Sequence, residues 1–277
     1  MDKEKNQLTF IPGFKPDINI KETSYIVFYD GKLMINKTQE NAEYIFNDLP
    51  PYFLESSHKQ QHLGSLHQRN CKIIGLRDIP EALDNFEFVS VRSLFGQITE
   101  AELLMAGRAN QIITWATTHH FCGKCGTPTE NKPDELAIIC PNCSTTYYPT
   151  ISPAIIVAIV KDGKILLGHS ARFKGKFYSV LAGFLEIGET FEQCVAREVK
   201  EEAGVNIKNI KYFGSQPWPF PSSMMVGFTA EWDSGDIVLH DEELDDAGWF
   251  SPDDMPNTPG TYSIAGRLIE WFKQTHS

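Results

Sequence analysis

Along the chain, apolar and polar positions fall into short runs that predict particular elements. Near the N-terminus, Tyr25–Phe28 and Leu33–Ile35 flank an Asp30-Gly31 pair, the pattern of a β-hairpin closed by a two-residue turn. Further on, Ile155–Val160 and Ile165–Leu167 flank Asp162-Gly163 in the same way. Both hairpins read apolar strand, D-G-K, apolar strand. Two readings stay open: the N-terminal domain is a degenerate relative of the second, or a common hairpin has arisen twice. Residues 40–70 are polar and rich in Gln, Ser and His, which predicts loops around short elements. Between Thr99 and Thr117, Leu103, Leu104, Ile112, Ile113 and Trp115 recur at helical spacing, and Thr99 with Glu102 fits a capping box. A second helix is predicted over Phe191–Ala203, with Thr190 as N-cap and Gly204 as its stop, and a terminal one over Ala265–Lys273. From Ile151 onward the order strand, hairpin, strand, helix, strand predicts an α+β arrangement.

Length and composition then bound the answer. A chain of 277 residues has room for two domains, or one with a large appendage. The longest apolar run, Ala154–Val160, is far below the roughly 20 residues that span a bilayer, so no membrane association is expected. The N-terminal stretch MDKEKNQLTF has no apolar segment of a secretory signal, and the terminal QTHS matches no address motif, so a cytoplasmic protein is expected. The net charge of −11 is a poor footprint for indiscriminate nucleic-acid binding. Phosphate groups can still be bound where divalent cations bridge them to acidic side chains.

Four of the six cysteines form two pairs, Cys122-x-x-Cys125 and Cys140-x-x-Cys143. Each pair can hold one edge of a tetrahedral zinc site, and together they supply the closed four-thiolate shell of a structural one. His119 and His120 adjoin a shell that is already full. Cys71 and Cys194 are left as small core residues. A zinc ribbon either reads a partner or staples a segment too short to build its own core. Lys124 and Lys132 stand against Glu130, Asp134 and Glu135, so the structural use is favoured. The expected boundaries are 1–118 for an N-terminal domain, 119–150 for the ribbon and 151–277 for a catalytic domain.

The most specific pattern lies at 183–205: Gly183, five residues, Glu189, seven residues, then Arg197-Glu198-Val199-Lys200-Glu201-Glu202-Ala203-Gly204-Val205. On the predicted helix Glu198, Glu201 and Glu202 stand at i, i+3 and i+4, so their carboxylates share a face. Such crowding is unfavourable unless hard divalent cations relieve it, and carboxylate oxygens are what Mg²⁺ and Mn²⁺ prefer. Gly183 lets the loop backbone approach the helix and bring the Ala182 carbonyl near the metals. Arg197 can reach back to Glu189 and hold the loop down. A metal-aligned water, with a glutamate to take its proton, suits hydrolysis of a pyrophosphate.

The segment GFLEIGETFEQCVAREVKEEAGV is identified as a Nudix box. The following SQPWPFPSS (215–223), the cysteine module, and the stretches SVR (90–92), AGR (106–108), YYP (147–149), LAGF (181–184) and RLIE (267–270) resemble the NADH pyrophosphatase branch of that family. The likeness covers about residues 90–277. It implies a Nudix α/β/α sandwich at the C-terminus, preceded by the zinc ribbon and an N-terminal domain. It implies hydrolysis of NADH or NAD⁺ to NMN(H) and AMP, and removal of NAD caps from the 5′ ends of RNA to leave NMN and a 5′-monophosphate. By motif position Glu198 and Glu202 become the principal ligands of Mg²⁺ or Mn²⁺, Glu201 or Glu202 the base, and Glu243 in Asp241-Glu242-Glu243-Leu244 a further ligand. Phe184 would stack on the nicotinamide with Trp218 beside it. Gln216, Pro217, Pro219, Phe220, Pro221, Ser222 and Ser223 would line the site on a stiff extended segment, with Tyr148, Glu135, Ala265 and, more weakly, Arg92 as further contacts. Members of the branch are homodimers, and segment 215–223 could complete the partner's pocket. The acidic charge confines any RNA contact to the cap and first nucleotides. Two alternatives compete: a broader dinucleotide or ADP-sugar pyrophosphatase, and a zinc-ribbon regulator with a retired nucleotide-binding fold.

Overall fold

A computed structural model describes residues 9–36, 43–79, 85–170, 175–239 and 243–276. Most of the N-terminal stretch read for a secretory signal, and Asp241 and Glu242 of the proposed ligand loop, lie outside the described residues. Contacts divide the chain into one unit of residues 1–150 with 219–222, and a second of 151–218 with 223–277.

The first unit opens with β1 (Ile11–Pro12), β2 (Thr23–Tyr29), β3 (Lys32–Asn36), a short helix α1 (Pro51–Glu55), β4 (Ser57–Leu66), β5 (Arg69–Leu76) and β6 (Phe86–Val89). These strands form one sheet in the order β1-β4-β5-β2-β3-β6, with β2 and β5 parallel. The predicted hairpin is present: Asp30 and Gly31 both take positive φ, 48° and 68°, as a tight turn between right-twisted strands requires. The expectation of loops over 40–70 is corrected. Ser57–Leu66 is a ten-residue strand in which Leu63 and Leu66 enter the core, Lys59 is buried and donates to Asn131 Oδ1, and among the polar positions only Gln60 is exposed. Register across β5, rather than β propensity, specifies it. The helix α2 (Glu100–Thr118) starts at a full capping box of Thr99 and Glu102 and buries Met105, Ala106, Ala109 and Ile112 against the sheet. The opposite face of the sheet is covered by a cluster containing Val27, Phe46, Phe53 and Ile74. The small strands β7 (Glu130–Asn131), β8 (Ile138–Ile139) and β9 (Thr146–Tyr147) build the cysteine module.

The second unit comprises β10 (Ser152–Lys161), β11 (Lys164–His169), β12 (Leu181–Phe184), α3 (Phe191–Ala203), β13 (Asn206–Trp218), β14 (Ser223–Ser234), β15 (Asp246–Phe250) and α4 (Ile264–His276). Its sheet order is β13-β14-β10-β11-β15, with β12 also paired to β10. The apolar run of β10 is explained by burial on both faces. Ile155, Val157 and Ile159 face the cluster containing Val195 and Val199 of α3, while Ile156 and Ala158 face Leu268, Ile269 and Phe272 of α4. The result is a helix–sheet–helix sandwich.

The two units repeat one topology. In each, a D-G hairpin (β2–β3, β10–β11) supplies a strand that pairs in parallel with a later one (β5, β14). That later strand is antiparallel to its predecessor (β4, β13), and a final strand (β6, β15) closes the far edge beside the hairpin. The turn dihedrals match too, with Asp162 and Gly163 at φ 48° and 73°. Of the two readings left by the D-G-K repeat, shared strand order favours the degenerate relative.

Candidate active site

The box folds as the spacing predicts. Helix α3 begins at a capping box of Thr190 and Gln193 and ends at Gly204, whose φ of 75° is the left-handed stop that glycine adopts without steric cost. The apolar face, Cys194, Val195, Val199 and Ala203, is buried in the sheet. That orientation leaves Glu198 and Glu202 at the edge of the interface and Glu201 half exposed. Strand β12 is held along β10 by the register Ile155–Gly183 and Ile156–Ala182. It lays Gly183 directly on the Glu198 carboxylate: a Cβ at 183 would fall 1.9 Å from Glu198 Cδ. Glycine is required there because the carboxylate fills the space a side chain would need.

Arg197 organises the rest. Its guanidinium donates from Nε to Glu189 Oε1 at 2.6 Å and from Nη2 to Glu189 Oε2 at 3.0 Å, a bidentate grip on the loop. The same side chain donates to Glu198 Oε1 and Glu201 Oε2, both at 2.9 Å, and to the Phe184 carbonyl at 3.0 Å. These bonds hold the Glu189 carboxyl far down, at about 2, with help from the Glu186 backbone N–H. Burial pushes Glu198 the other way, above the ordinary carboxylate range. Arg197 opposes that push, while the charges of Glu201 and Glu243 add to it. Glu202 is only 5% exposed. A buried carboxyl among like charges is a site that a divalent cation would relieve, so the donor set fits the hard metal expected of it. Among the described residues only the cysteine group brings three or more ligand atoms within 4.8 Å of one another, while Glu198 and Glu201 are linked through Arg197.

In that group Cys125 Sγ stands 3.5 Å from Cys140 and 3.6 Å from Cys143, and Cys122 lies 3.6 Å from Cys143. The edge of a tetrahedron with Zn–S bonds of about 2.3 Å is about 3.8 Å, so the shell fits zinc. Hydrogen bonds to Thr127, then Asn142, lower the Cys125 thiol to about 5, while burial raises Cys140 to about 11. Tyr147, which the spacing did not point to, shares its hydroxyl with Cys122 Sγ at 3.2 Å and accepts from the Gly123 N–H at 3.0 Å. His119 bonds the Trp115 carbonyl and takes no part in the shell. Cys71 and Cys194 are buried.

The expected substrate contacts divide between the units. In the second, Phe184 is 59% exposed beside the box, as a stacking ring requires. Gln216 is held by the chain itself. Its Oε1 accepts from the Ile264 N–H at 2.7 Å and its Nε2 donates to the Tyr262 carbonyl at 2.9 Å, tying β13 to the start of α4 next to Ala265. Ser223 and Ala265 are buried. Segment 215–223, expected as a stiff extended segment, is part of a hairpin: Gln216, Pro217 and Trp218 end β13, Pro219 to Ser222 form the turn, and Ser223 opens β14. The turn packs within the first unit. The Pro219 carbonyl accepts from Asn110 Nδ2 at 2.8 Å, Pro219 sits on Gly107, and Phe220 packs on the α2 cluster 5.8 Å from the Phe95 ring. The interlocking of AGR with this turn was not visible in either motif alone. Also in the first unit, the Tyr148 hydroxyl donates to Glu135 Oε1 at 3.2 Å, so those two are together. Arg92 lies exposed on a single 3-10 turn, Val91–Leu94.

Family models match the chain in three consecutive parts: an NADH pyrophosphatase-like rudimentary NUDIX domain at 22–115, an NADH pyrophosphatase zinc ribbon domain at 117–148, and a NUDIX domain at 150–272. A Haemophilus influenzae (strain KW20 / Rd) protein named NAD-capped RNA hydrolase NudC is 43% identical over 237 residues, 84% of this chain and 89% of the relative. The chain belongs to the NADH pyrophosphatase branch of the Nudix hydrolases. Proteins of the same name from another H. influenzae strain, PittEE, and from Stutzerimonas stutzeri (strain A1501) are 49% and 44% identical, each over about two thirds of this chain and 72% and 71% of the relative. The rudimentary domain agrees with the repeated strand order, and this Nudix hydrolase carries a zinc ribbon whose four thiolates suit a structural ion. Among its described residues no helix is long and apolar enough to cross a membrane.

Proposed function

We propose that this Nudix hydrolase cleaves the diphosphate of a nicotinamide dinucleotide: NADH or NAD⁺ to NMN(H) and AMP, and the NAD cap of RNA to NMN and a 5′-monophosphate end. The observation that carries the reading is the complete carboxylate helix, with Arg197 clamping Glu189, Glu198 and Glu201 under Gly183. A retired fold would have no need to keep a complete and partly buried set of carboxylates. Relatives named for NAD-capped RNA hydrolysis support the substrate.

Glu198, Glu202 and Glu243, with the Ala182 carbonyl, would hold Mg²⁺ or Mn²⁺, whose contribution there would be to neutralise phosphate oxygens and lower the pKa of the attacking water. Glu201 or Glu202 takes the proton from that water. Arg197 keeps the loop and helix in register through the reaction. Phe184 offers its exposed ring to the nicotinamide, and Trp218 on β13 adds to the same pocket. Pro219 and Phe220 act by fixing the turn, through packing rather than stacking on a base. The working form is a homodimer in the cytoplasm, and its acidic surface limits RNA contact to the cap and first nucleotides.

Product analysis on NADH and on a matched NAD-capped RNA, with Mn²⁺, tests the assignment. NMNH and NMN are expected, with turnover lost in Glu202→Gln, and full activity of that variant refutes it. Comparing kcat/KM for NADH, ADP-ribose and a diadenosine substrate separates this reading from a broader pyrophosphatase. Trp218→Ala should narrow the preference for NADH.

A further inference from the structure

His169, at the end of β11, stands outside the box and its motifs. Its Nδ1 lies 2.5 Å from Asp245 Oδ1 and its Nε2 lies 2.6 Å from the carbonyl oxygen of Gly175. Neither a carboxylate nor a carbonyl can donate, so each bond needs a proton on the ring nitrogen. A neutral imidazole carries only one. The geometry therefore calls for an imidazolium whose side chain is 13% exposed, between two segments of the second unit.

One of those segments bears Glu243. Its neighbour Leu244 packs its methyls on Gly168, where an added Cβ would meet them at 2.8 Å. The Asp245 N–H donates to the His169 carbonyl at 3.0 Å, and Asp246 pairs with His169 across β11 and β15. The groups facing the ring are Asp245 and Asp246 from β15 and its approach, and Tyr178, whose ring centroid is 5.4 Å away and whose hydroxyl donates to Asp246. The local charge thus favours the protonated ring.

We propose that His169 is a positioning residue for the metal site: donating from both ring nitrogens, it ties Asp245 to the Gly175 carbonyl and fixes the approach of Glu243 to Glu198. This rests on the reading of Glu243 as a metal ligand. Phenylalanine at 169 keeps a ring and removes both donors, and asparagine at 245 keeps an acceptor and removes its charge.

Mn²⁺ binding to zinc-loaded protein, read from the electron-paramagnetic signal of the free ion, is the primary test, with zinc content and thermal melting as controls for folding. His169→Phe should weaken Mn²⁺ binding by about tenfold or more, the scale of losing a group that orients a ligand. NADH hydrolysis should recover at saturating Mn²⁺. Asp245→Asn should move the same way by less, and the His169 ring should titrate at a lower pH in that variant by histidine NMR. Wild-type Mn²⁺ affinity in folded His169→Phe, beside weakened binding in Glu243→Gln, overturns the clasp and leaves Glu243 standing. Unchanged affinity in Glu243→Gln overturns both. Should His169→Phe fail to fold, unchanged Mn²⁺ affinity and an unchanged ring titration in Asp245→Asn overturn the clasp.

Discussion

Replacing Gly183 with alanine adds a single carbon, yet it should disable the site without unfolding the protein. The new Cβ would lie 1.9 Å from Glu198 Cδ and 2.1 and 2.2 Å from its oxygens. Ordinary contact begins near 3.4 Å, so the shortfall is about 1.5 Å. Neither backbone can supply that movement: β12 is paired with β10 at four positions, and α3 is anchored by fully buried Cys194, Val195 and Val199. The Glu198 side chain must swing away, giving up its 2.9 Å bond to Arg197. A displacement of about 1 Å at a reacting centre can cost about 10²-fold, so kcat should fall at least that far, or about 2.7 kcal/mol of activation free energy. Stability should hardly change, because burial already disfavours the Glu198 charge and its exposure relieves that penalty. Steady-state NADH hydrolysis at saturating Mn²⁺, with a circular-dichroism melt, measures both. If the effect runs through Glu198, adding Gly183→Ala to Glu198→Gln should cost little more. A Gly183→Ala enzyme with wild-type kcat, or a full second loss in the double variant, would refute the reasoning.

Lysine at 197 keeps the charge but not the planar fork that reaches Glu189, Glu198, Glu201 and the Phe184 carbonyl together, so Arg197→Lys should lower kcat by about tenfold or more despite the conserved charge. The Glu189 carboxyl is depressed to about 2, below its unfolded value, so the clamp stabilises the fold above the unfolded pKa and is lost as pH falls from about 4.5 towards 2. Melting temperature in Glu189→Gln should therefore fall less steeply across that window than in the wild type, and parallel curves would count against the clamp. Stripping zinc with a chelator, or Cys140→Ser, should unfold the ribbon first, seen as early proteolysis within 119–150, because its three two-residue strands bury little else.

How much of this could be read beforehand depends on whether the determinant was local. The helix α3 was legible to the residue because its cap, its apolar face and its stop all lie within Thr190–Gly204. The four thiolates were legible because their geometry follows from two short spacings. Strand β4 was not: its sequence SHKQQHLGSL has little β character, and only pairing with β5 and burial of Leu63 and Leu66 make it a strand. The contacts that Gln216 and Phe220 make within the chain were hidden for the same reason, since their partners lie 46 to 48 residues away and across the α2 cluster. His169 lay outside every motif, and its partner Asp245 is 76 residues further along.

The repeated topology explains why one unit retains a catalytic box and the other does not. A mixed sheet of this order is maintained by alternation along every strand, a requirement that many side chains satisfy. β2 and β5 meet it with Ile26, Phe28 and Ile73 as β10 and β14 do with Ile155, Val157 and Phe228. The box is narrower, needing carboxylates at i, i+3 and i+4 on one face of a helix whose opposite face carries an apolar stripe long enough to anchor it. Where the second unit has the thirteen residues of α3, the helix that the first unit shows between β3 and β4 is α1, five residues reading PYFLE. Its single acid, Glu55, has no helical neighbour at i−4 or i−3 able to share a cation. The sheet of the first unit could therefore persist as scaffold, packing α2 against the hairpin turn at Pro219, after the geometry for chemistry had gone. Restoring carboxylates at 51 and 54 of α1 should therefore yield no metal-dependent turnover, since a helix anchored by Phe53 alone lacks the apolar stripe that fixes α3 and the arginine clamp that holds its carboxylates.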